Sequence, residues 1–196
     1  MKVIGLTGGI ASGKSTASAY LRSLGAQIVD ADAISRASTR KGEAGYAAVV
    51  ERFGREILRP DGEIDRRKLG ALVFADEGQR RALNALLHPI VIAACAREIE
   101  RCRAQGLSAC VLDVPLLFET GMERMCDVTW LLYVSREEQI RRIAARDGLG
   151  AQAAAARIDS QMPLAEKMRR ADRCIDASGS IEETQRKIRQ LWEELA

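Results

Sequence analysis

The sequence predicts an α/β fold, in which a parallel sheet of about five strands is flanked by helices and carries two helical insertions. Short apolar runs alternate with stretches of helical periodicity, which is the pattern of a parallel sheet covered on both faces. The runs 109–115 and 127–134 are almost continuously apolar, as expected for strands buried on both sides. Two long stretches between strands carry helical patterns alone and account for the insertions.

The N-terminal elements follow the order strand, helix, strand, helix. Lys2–Thr7 predicts a short buried strand, and Ser15–Leu24 predicts a helix that Gly25 closes. The stretch "AQIVDAD" predicts a second strand, which ends on two carboxylates. From Ala33 to Phe53 the period is helical, although two glycines interrupt it.

The middle of the chain predicts helices on either side of one turn. Pro60-Asp61-Gly62 marks the turn, and Asp65 stands where a helix N-cap is expected. Residues 77–103 form a long amphipathic stretch. Pro89 lies inside that stretch and predicts a kink or a break, because proline removes a backbone donor.

The C-terminal third begins after the two apolar strands. Residues 135–170 are helical and rich in arginine, except near Gly148–Gly150 and Pro163. The stretch "RCID" predicts a last short strand, and Ser180 is expected to cap a terminal helix over Ile181–Leu195.

The composition is that of a soluble globular protein, with 47% hydrophobic and 29% charged residues. The net charge of +3 is too small for a nucleic-acid-binding surface, which needs a strongly basic stripe. The apolar run at the N-terminus is too short for a signal peptide, and no uncharged stretch is long enough to span a bilayer. Five cysteines without C-x-x-C spacing predict buried free thiols. We therefore expect a cytoplasmic monomer with no nucleic-acid or membrane partner.

The segment Gly8–Ser15, "GGIASGKS", fits G-x-x-x-x-G-K-[ST] at every fixed position. Its glycines allow successive backbone N–H groups to turn toward phosphate oxygens, and the helix that follows adds its positive end. Lys14 would contact the β- and γ-phosphates, and the Ser15 hydroxyl would bind Mg²⁺. The segment predicts a P-loop NTPase core rather than a glycine-rich turn with a solvated lysine, because it lies between a predicted strand and a predicted helix.

The reaction class follows from what accompanies the P-loop. A GTP switch should show an N-K-x-D-type motif for guanine, and the sequence has none. A nucleic-acid motor of this fold is ordinarily longer. Two helical insertions in a small chain favour a kinase, in which a lid and an acceptor domain close over two substrates.

Three further residues are candidates for the chemistry or for metal binding. Asp32 follows Asp30 at a strand end, where it could accept the proton of an attacking hydroxyl or simply cap the next helix. Asp113 ends the strand "ACVLD", where P-loop proteins place a metal-supporting carboxylate, and it could equally cap the following turn. His88 is the only histidine, and a lone histidine on an apolar helix face is more often structural than catalytic.

The second insertion contains several arginines, most of which are expected to be solvated. Arg142 and Arg146 differ, because they are four positions apart and share one face of a helix. On a mobile lid, two guanidinium groups in this arrangement would clamp the transferred phosphoryl group.

The chain resembles the dephospho-CoA kinases in the order and spacing of five motifs, namely "GLTGGIASGKST", "VDADAISR", "LHPIV", "VLDVPLLFE" and "RCIDASGS". The resemblance implies ATP-dependent phosphorylation of the ribose 3′-hydroxyl of dephospho-CoA, the last step of coenzyme A synthesis. It also implies a nucleotide-binding core over about 1–35, 105–135 and 171–196, a helical CoA subdomain over about 36–104 and a lid over about 136–170.

The resemblance also implies roles for individual residues. Asp32 corresponds to the general base of the family, and Arg142 to a lid arginine. His88 falls in the CoA subdomain and is expected near the acceptor, and Gln161 matches a recurring glutamine for which the sequence provides no role. The residues expected to bind ATP are Gly9, Ala11, Ser12, Gly13, Lys14, Ser15, Thr16 and Arg146. Ser15 and Asp113 are expected to bind or support Mg²⁺.

Two positions depart from the family pattern. Ala11 replaces a common glycine, which is tolerable if its φ angle is negative. Ala177 replaces a common asparagine, so recognition of the adenine must rest on backbone or neighbouring groups, and a strict preference for ATP is weakened.

Two alternative functions remain open from the sequence. One is a nucleoside or nucleotide kinase of the same fold. The other is an ATP-dependent switch or nucleic-acid-binding module, which would need a broad basic face and salt-sensitive binding. The net charge of +3 argues against the second alternative.

Overall fold

The computed structural model describes residues 1–195, with the backbone alone at position 74. The chain forms two compact units. The first unit contains residues Met1–Val29 and the chain from Ile99 onward, and the second unit is Asp30–Glu98. Each unit has its own apolar core.

A five-stranded sheet confirms the predicted α/β class, and its strand order is β2-β3-β1-β4-β5. Strand β1 pairs in parallel with β3 and β4, and β4 pairs in parallel with β5. The central strands β1 and β3 are buried along almost their whole length, which explains their unbroken apolar sequence. The strands are β1 (Lys2–Gly8), β2 (Gln27–Asp30), β3 (Ala109–Asp113), β4 (Val128–Tyr133) and β5 (Arg173–Asp176).

The helices agree in position with most of the predicted ones. They are α1 (Lys14–Ser23), α2 (Ala31–Ser38), α3 (Ala44–Phe53), α4 (Arg66–Ala75), α5 (Glu77–Ala104), α6 (Arg136–Asp147), α7 (Ala151–Asp159), α8 (Leu164–Arg170) and α9 (Ile181–Glu193). The predicted interruptions near Gly148 and Pro163 separate α6, α7 and α8.

The core of the first unit lies where α1 and α9 pack against the sheet. Leu21 of α1 and Ile188 of α9 are fully buried against strand residues such as Ile4 and Leu132. Burial of a large aliphatic side chain contributes about 1.5–3 kcal/mol. These contacts hold the segment after β1 and the segment after β5 in place, and both segments contribute to the candidate site.

The core of the second unit is smaller and is built around α3. Val49 and Phe53 of α3 pack with Ile57, Ile64 and Leu69. The predicted turn is present, because Leu58 and Ile64 form an antiparallel bridge across it. The predicted cap is present as well, since the Asp65 carboxylate accepts hydrogen bonds from the first backbone N–H groups of α4.

Helix α5 runs without a break through Pro89, so the predicted break is absent, and a kink at this residue stays a prediction. A proline inside a helix costs about 3 kcal/mol. The buried residues Val91 and Cys95 lie one turn apart just beyond it, and their burial offsets part of that cost. Burial thus helps to keep the helix continuous where the local sequence allows a break.

Helix α5 is also long and apolar enough to cross a membrane, judged by length and composition alone. Only 17% of its most apolar stretch is buried. The uncharged part, residues 82–96, contains 15 residues, fewer than the roughly 20 that span a bilayer. The feature is weak evidence for a membrane segment, because helices of soluble proteins meet the same criteria.

The five cysteines form no disulfide, as the sequence predicts. Cys95, Cys102 and Cys110 are buried, whereas Cys174 is exposed, contrary to the expectation that all five are buried. Burial raises the pKa of the Cys95 thiol to about 11, and it raises the pKa values of Cys110 and Cys126 to about 12.

Ser180 caps α9 with a complete capping box. Its hydroxyl accepts a hydrogen bond from the Glu183 N–H at 3.1 Å, and its own N–H donates to the Glu183 carboxylate at 3.0 Å. Ser180→Ala removes the first of these bonds and should lower the free energy of unfolding by about 1 kcal/mol. Urea unfolding followed by tryptophan fluorescence measures the change.

Ser108→Ala is the matched control, because in the described residues the Ser108 side chain makes no hydrogen bond. Its effect should stay below about 0.5 kcal/mol. Equal stabilities of the two variants would contradict the capping role of Ser180.

Candidate active site

The glycines of the P-loop are required by close contacts and by backbone conformation. A side chain at Gly8 would collide with the Ser12 hydroxyl, and a side chain at Gly9 would collide with the Gln139 amide. Gly13 has a φ angle of 91° and is the residue from which α1 begins. The loop therefore enters the helix through a conformation that glycine adopts without strain.

The φ angle of Ala11 is +60°, so the negative φ angle that would make alanine tolerable at this position is not present. It is the one non-glycine residue with a positive φ angle in the described part of the chain. An L-residue in this left-handed conformation costs roughly 1–2 kcal/mol. The loop therefore carries strain that the common glycine of the family would avoid.

Lys14 and Asp113 form an ion pair with 2.5 Å between Lys14 Nζ and Asp113 Oδ1. The Asp113 side chain is 7% exposed and that of Lys14 is 17% exposed, so each buried charge needs the other. The carboxylate at the end of β3 thus faces the P-loop lysine rather than capping the next turn. This pair holds the lysine ammonium beside the loop, where phosphate oxygens can compete for it.

A cavity of about 280 Å³ lies beside the P-loop and is lined by Ser12, Gly13 and Thr16. Its opposite wall comes from the segment after β5 and the first turns of α9, including Ala177, Thr184 and Gln185. The Ser12 hydroxyl is buried and has no hydrogen-bond partner in residues 1–195. A concave space with an unpaired buried hydroxyl fits a ligand that supplies polar atoms, as a nucleotide does.

Ala177 lies in this cavity with both of its backbone groups already bonded. Its N–H donates to the Tyr133 carbonyl at 2.9 Å, and its carbonyl accepts from Arg142 at 3.0 Å. Gln185 lines the cavity on α9 and makes no side-chain hydrogen bond among the described residues, so its amide is available to a base. Sequence analysis missed Gln185, although it lies one turn after the exposed Ile181 on α9.

Arg142 reaches the nucleotide cavity and is held by three groups. Its Nε donates to Glu138 at 2.6 Å, and its two terminal nitrogens donate to the carbonyls of Ala11 and Ala177 at 3.4 and 3.0 Å. Hydrogen bonds from Arg141 and Arg142 lower the pKa of Glu138 to about 2. Glu138 is therefore an anion at any physiological pH and fixes the direction of the guanidinium.

Arg146 is placed differently from Arg142, although both lie on α6. Its guanidinium pairs with Asp147 at 2.8 Å, and the side chain is 57% exposed. It does not line the nucleotide cavity. The structure does not bring the two arginines together on one ligand, and an ATP contact for Arg146 stays a prediction.

Two glutamines hold the backbone of the P-loop at Ile10. Gln139 Nε2 donates to the Ile10 carbonyl at 2.8 Å, and Gln161 Oε1 accepts from the Ile10 N–H at 3.3 Å. Gln139 is buried, and Gln161 is the residue whose role the sequence left unexplained. The sequence did not reveal Gln139, because no local pattern in α6 indicates that its side chain binds Ile10, 129 positions away.

Lys167 is a third residue near the P-loop that the sequence did not reveal. Its ammonium is buried and lies 2.8 Å from the Glu119 carboxylate, which also accepts a hydrogen bond from the Met162 N–H at 3.1 Å. Glu119 ends the motif "VLDVPLLFE", so the pair explains why that motif has an acidic last residue. It fixes α8 to the segment after β3, and thereby supports Gln161.

In the second unit, Asp30 rather than Asp32 caps helix α2. The Asp30 carboxylate accepts from the Ala33 N–H at 2.9 Å, and the helix begins at Ala31. The expectation that both side chains leave a strand on one side is wrong, because Asp32 already lies in the first turn of the helix. The structure thus excludes the capping alternative for Asp32, which is exposed.

His88 is half-buried on α5, and its place near the acceptor stays a prediction.

The chemistry of the first unit fits Mg²⁺ bound through the nucleotide. Among residues 1–195, no cluster of three or more histidine, cysteine or acidic residues could hold a metal by itself. Mg²⁺ commonly keeps several waters and takes its other oxygens from phosphates and one or two protein groups. The Ser15 hydroxyl at the start of α1 can supply such an oxygen, and Asp113 is the nearby carboxylate that could support it from its pair with Lys14.

Comparisons with known proteins agree with this arrangement. Residues 2–183 match the family model for dephospho-CoA kinase. A dephospho-CoA kinase of Symbiobacterium thermophilum is 50% identical over 98% of this chain and 80% of its own length. The structure of a dephospho-CoA kinase from Campylobacter jejuni is similar with a TM-score of 0.69 and 26% identity, covering 100% of this chain and 97% of that one.

A shikimate kinase structure from Aquifex aeolicus shares the fold at 14% identity. Its TM-score is 0.52, and the match covers 97% of this chain and 96% of that one. This similarity supports the P-loop kinase fold alone.

Ala11→Gly should stabilise the protein, because glycine adopts the observed φ angle without strain. We expect an increase of about 0.5–1 kcal/mol in the free energy of unfolding. Urea unfolding measures it, with Ala145→Gly in the interior of α6 as the matched control, which should instead lose about 1 kcal/mol. A loss of stability in both variants would contradict the strain at Ala11.

Gln139→Met should weaken nucleotide binding, because it leaves the Ile10 carbonyl without its donor and loosens the P-loop. Loss of one hydrogen bond of about 1 kcal/mol corresponds to a roughly five-fold higher dissociation constant for MgATP, measured by titration calorimetry. Gln152→Met, at an exposed glutamine of α7, should leave the constant unchanged. Unchanged binding by Gln139→Met would remove the positioning role.

Proposed function

The chain belongs to the dephospho-CoA kinase family, and we propose that it transfers the γ-phosphoryl group of ATP to the ribose 3′-hydroxyl of dephospho-CoA. The family model covers residues 2–183, and this match is the observation that carries the conclusion. The products are coenzyme A and ADP. The enzyme is thus a phosphotransferase with an alcohol acceptor, and its reaction completes coenzyme A synthesis.

ATP is proposed to bind in the first unit, with its phosphates in the P-loop and its adenosine in the cavity beside Ser12. The inward-turned amides and Lys14 would bind the phosphates, together with Gly9 and the segment Ala11–Thr16. The free Ser12 hydroxyl and the glycine-only contacts of the loop support this placement. With the Ala177 backbone already bonded, Gln185 is the proposed polar contact of the base.

Asp32 is proposed as the general base for the acceptor hydroxyl. Asp30 performs the capping of α2, so the Asp32 carboxylate is not needed for that purpose. A base must come within hydrogen-bond reach of the proton that it accepts, and an exposed carboxylate in the first turn of a helix can do so. The proton moves from the 3′-oxygen to an Asp32 oxygen as that oxygen bonds to the γ-phosphorus, and the bond from the γ-phosphorus to the bridging oxygen breaks to release ADP.

Lys14 and Arg142 are proposed to neutralise the charge that develops on the moving phosphoryl group. Each is held near the P-loop by one carboxylate, Asp113 for the lysine and Glu138 for the arginine. Positive groups that are already oriented need little reorganisation during the reaction. Arg146 would join them only after leaving Asp147, and it is proposed as a weaker ATP contact.

Mg²⁺ is proposed to bind with ATP, through the Ser15 hydroxyl and with support from Asp113. When bound, it neutralises charge on the β- and γ-phosphates and orients them.

We also propose His88 as a residue near the acceptor, the segment 36–104 as the CoA subdomain and 136–170 as the lid. The same proposal includes a cytoplasmic monomer without a nucleic-acid or membrane partner.

The decisive experiment is incubation with dephospho-CoA and MgATP, followed by measurement of the mass of the acceptor. Addition of one phosphoryl group supports the proposal. Parallel reactions with nucleosides and nucleoside monophosphates test the alternative of a nucleotide kinase. Salt-sensitive retention of RNA or DNA on filters would instead favour a nucleic-acid-binding module.

Asp32→Asn should lower kcat by roughly 10²–10⁴, because the amide cannot accept the proton, whereas binding of ATP stays similar. Asp30→Asn is the matched control, since asparagine caps a helix as well as aspartate does. Coupled measurement of ADP release gives kcat for both variants. Near-normal turnover of Asp32→Asn would remove the assignment of the base.

A further inference from the structure

The second unit contains a basic cavity of about 710 Å³ that the reaction chemistry described above does not use. Helices α2 and α4 and the turn that precedes α4 form its walls. The volume lies in the range of small-molecule sites. Five of its lining residues are arginines, namely Arg36, Arg40, Arg59, Arg66 and Arg67.

Two of these arginines already have partners. Arg59 lies 3.2 Å from the carboxylate of Asp61. Arg66 donates to the Arg36 carbonyl at 2.9 Å and to the Thr39 hydroxyl at 3.2 Å. The ion pair neutralises the charge of Arg59, whereas the two partners of Arg66 are neutral and leave its charge uncompensated.

The other three guanidinium groups, those of Arg36, Arg40 and Arg67, have no ion pair with any described residue. Two carboxylates line the same cavity, but both are engaged with the backbone. Glu63 accepts from the Lys41 N–H at 3.3 Å, and Asp65 caps α4. With Asp61 counted beside Arg59, five arginines face three carboxylates, which leaves an excess of positive charge in a concave space.

Such an arrangement favours a ligand with more than one negative charge. Like charges on one wall repel each other, and a concave surface concentrates their field. Guanidinium groups bind phosphate oxygens through paired hydrogen bonds. A diphosphate has enough oxygens to bind several of these arginines at once.

We propose that this cavity binds the diphosphate of the acceptor, dephospho-CoA, and thereby selects it over acceptors without a diphosphate. The inference rests on the proposed function, because it concerns the acceptor of that reaction. Arg36 and Asp32 lie four positions apart on α2 and therefore share a face, with about 6 Å between them along the helix. In dephospho-CoA, the ribose alone separates the 3′-hydroxyl from the 5′-diphosphate. One helix face can thus serve both the reacting hydroxyl and the diphosphate.

The test uses Arg40→Gln and Arg67→Gln, singly and together, in the full chain. Both residues are exposed and have no partner among the described residues, so their replacement leaves the fold intact. Arg55→Gln is the matched control, because Arg55 is an exposed arginine of the second unit that does not line the cavity. Each cavity variant should raise the KM for dephospho-CoA about ten-fold, since it loses a charge-assisted hydrogen bond. The KM for ATP should stay within about two-fold in every variant.

Two binding measurements separate diphosphate recognition from a general effect of charge. Equilibrium dialysis without ATP should show about ten-fold weaker binding of dephospho-CoA in each cavity variant and no change in Arg55→Gln. Inhibition by adenosine, which lacks the diphosphate, should be the same in all variants. Equal loss of adenosine and dephospho-CoA binding would overturn the proposal.

The proposal also fails if the double variant retains the wild-type KM and affinity for dephospho-CoA. That result leaves the kinase function untouched, because the wild-type enzyme still phosphorylates the acceptor in the same assay. A wild-type enzyme that does not phosphorylate dephospho-CoA would instead overturn the proposed function. Dialysis then still decides whether the cavity binds this diphosphate ester.

Discussion

The strained backbone of the P-loop is the constraint on which the nucleotide site depends. Ala11 has a positive φ angle, and side chains from later in the chain hold the loop around it in place. Gln161 accepts a hydrogen bond from the Ile10 N–H, Gln139 donates one to the Ile10 carbonyl, and Arg142 donates one to the Ala11 carbonyl. Strain of this kind persists only where neighbouring structure determines it more than once. The helices after β4 therefore shape the phosphate site as much as the glycines do.

Local patterns in the sequence predicted most of the fold. Continuous apolar runs identified the buried strands, and Asp65 and Ser180 identified helix starts, because a cap depends on neighbours within three residues. The P-loop motif likewise identified the candidate nucleotide site, because its residues are neighbours in the sequence. A break at Pro89 was one of the two predicted outcomes and is absent, since burial beyond it offsets part of the cost of the proline and the local sequence does not show that burial. The contacts of Gln139 and Lys167 depend on partners far along the chain, so no spacing rule could find them.

Charge is distributed differently in the two units. In the first unit, the positive groups beside the P-loop are each held by one acid, as in Lys14 with Asp113 and Arg142 with Glu138. In the second unit, several arginines line one cavity without such partners. A cation that is already oriented by a carboxylate can stabilise a transition state with little reorganisation. An unpaired cation can instead form its ion pair with a bound anionic substrate. The two arrangements are those expected if the first unit accelerates the transfer and the basic cavity binds the acceptor, as proposed above.

The raised pKa values of three cysteines affect how the protein reacts with the thiols of its substrate and product. Dephospho-CoA and coenzyme A both end in a thiol, and exchange between thiols and disulfides proceeds through the thiolate. With pKa values near 11 and 12, Cys95, Cys110 and Cys126 remain protonated at neutral pH. These three thiols are therefore unreactive toward oxidised forms of the product, such as its symmetric disulfide, whereas the exposed Cys174 is the cysteine that such a disulfide can most readily reach.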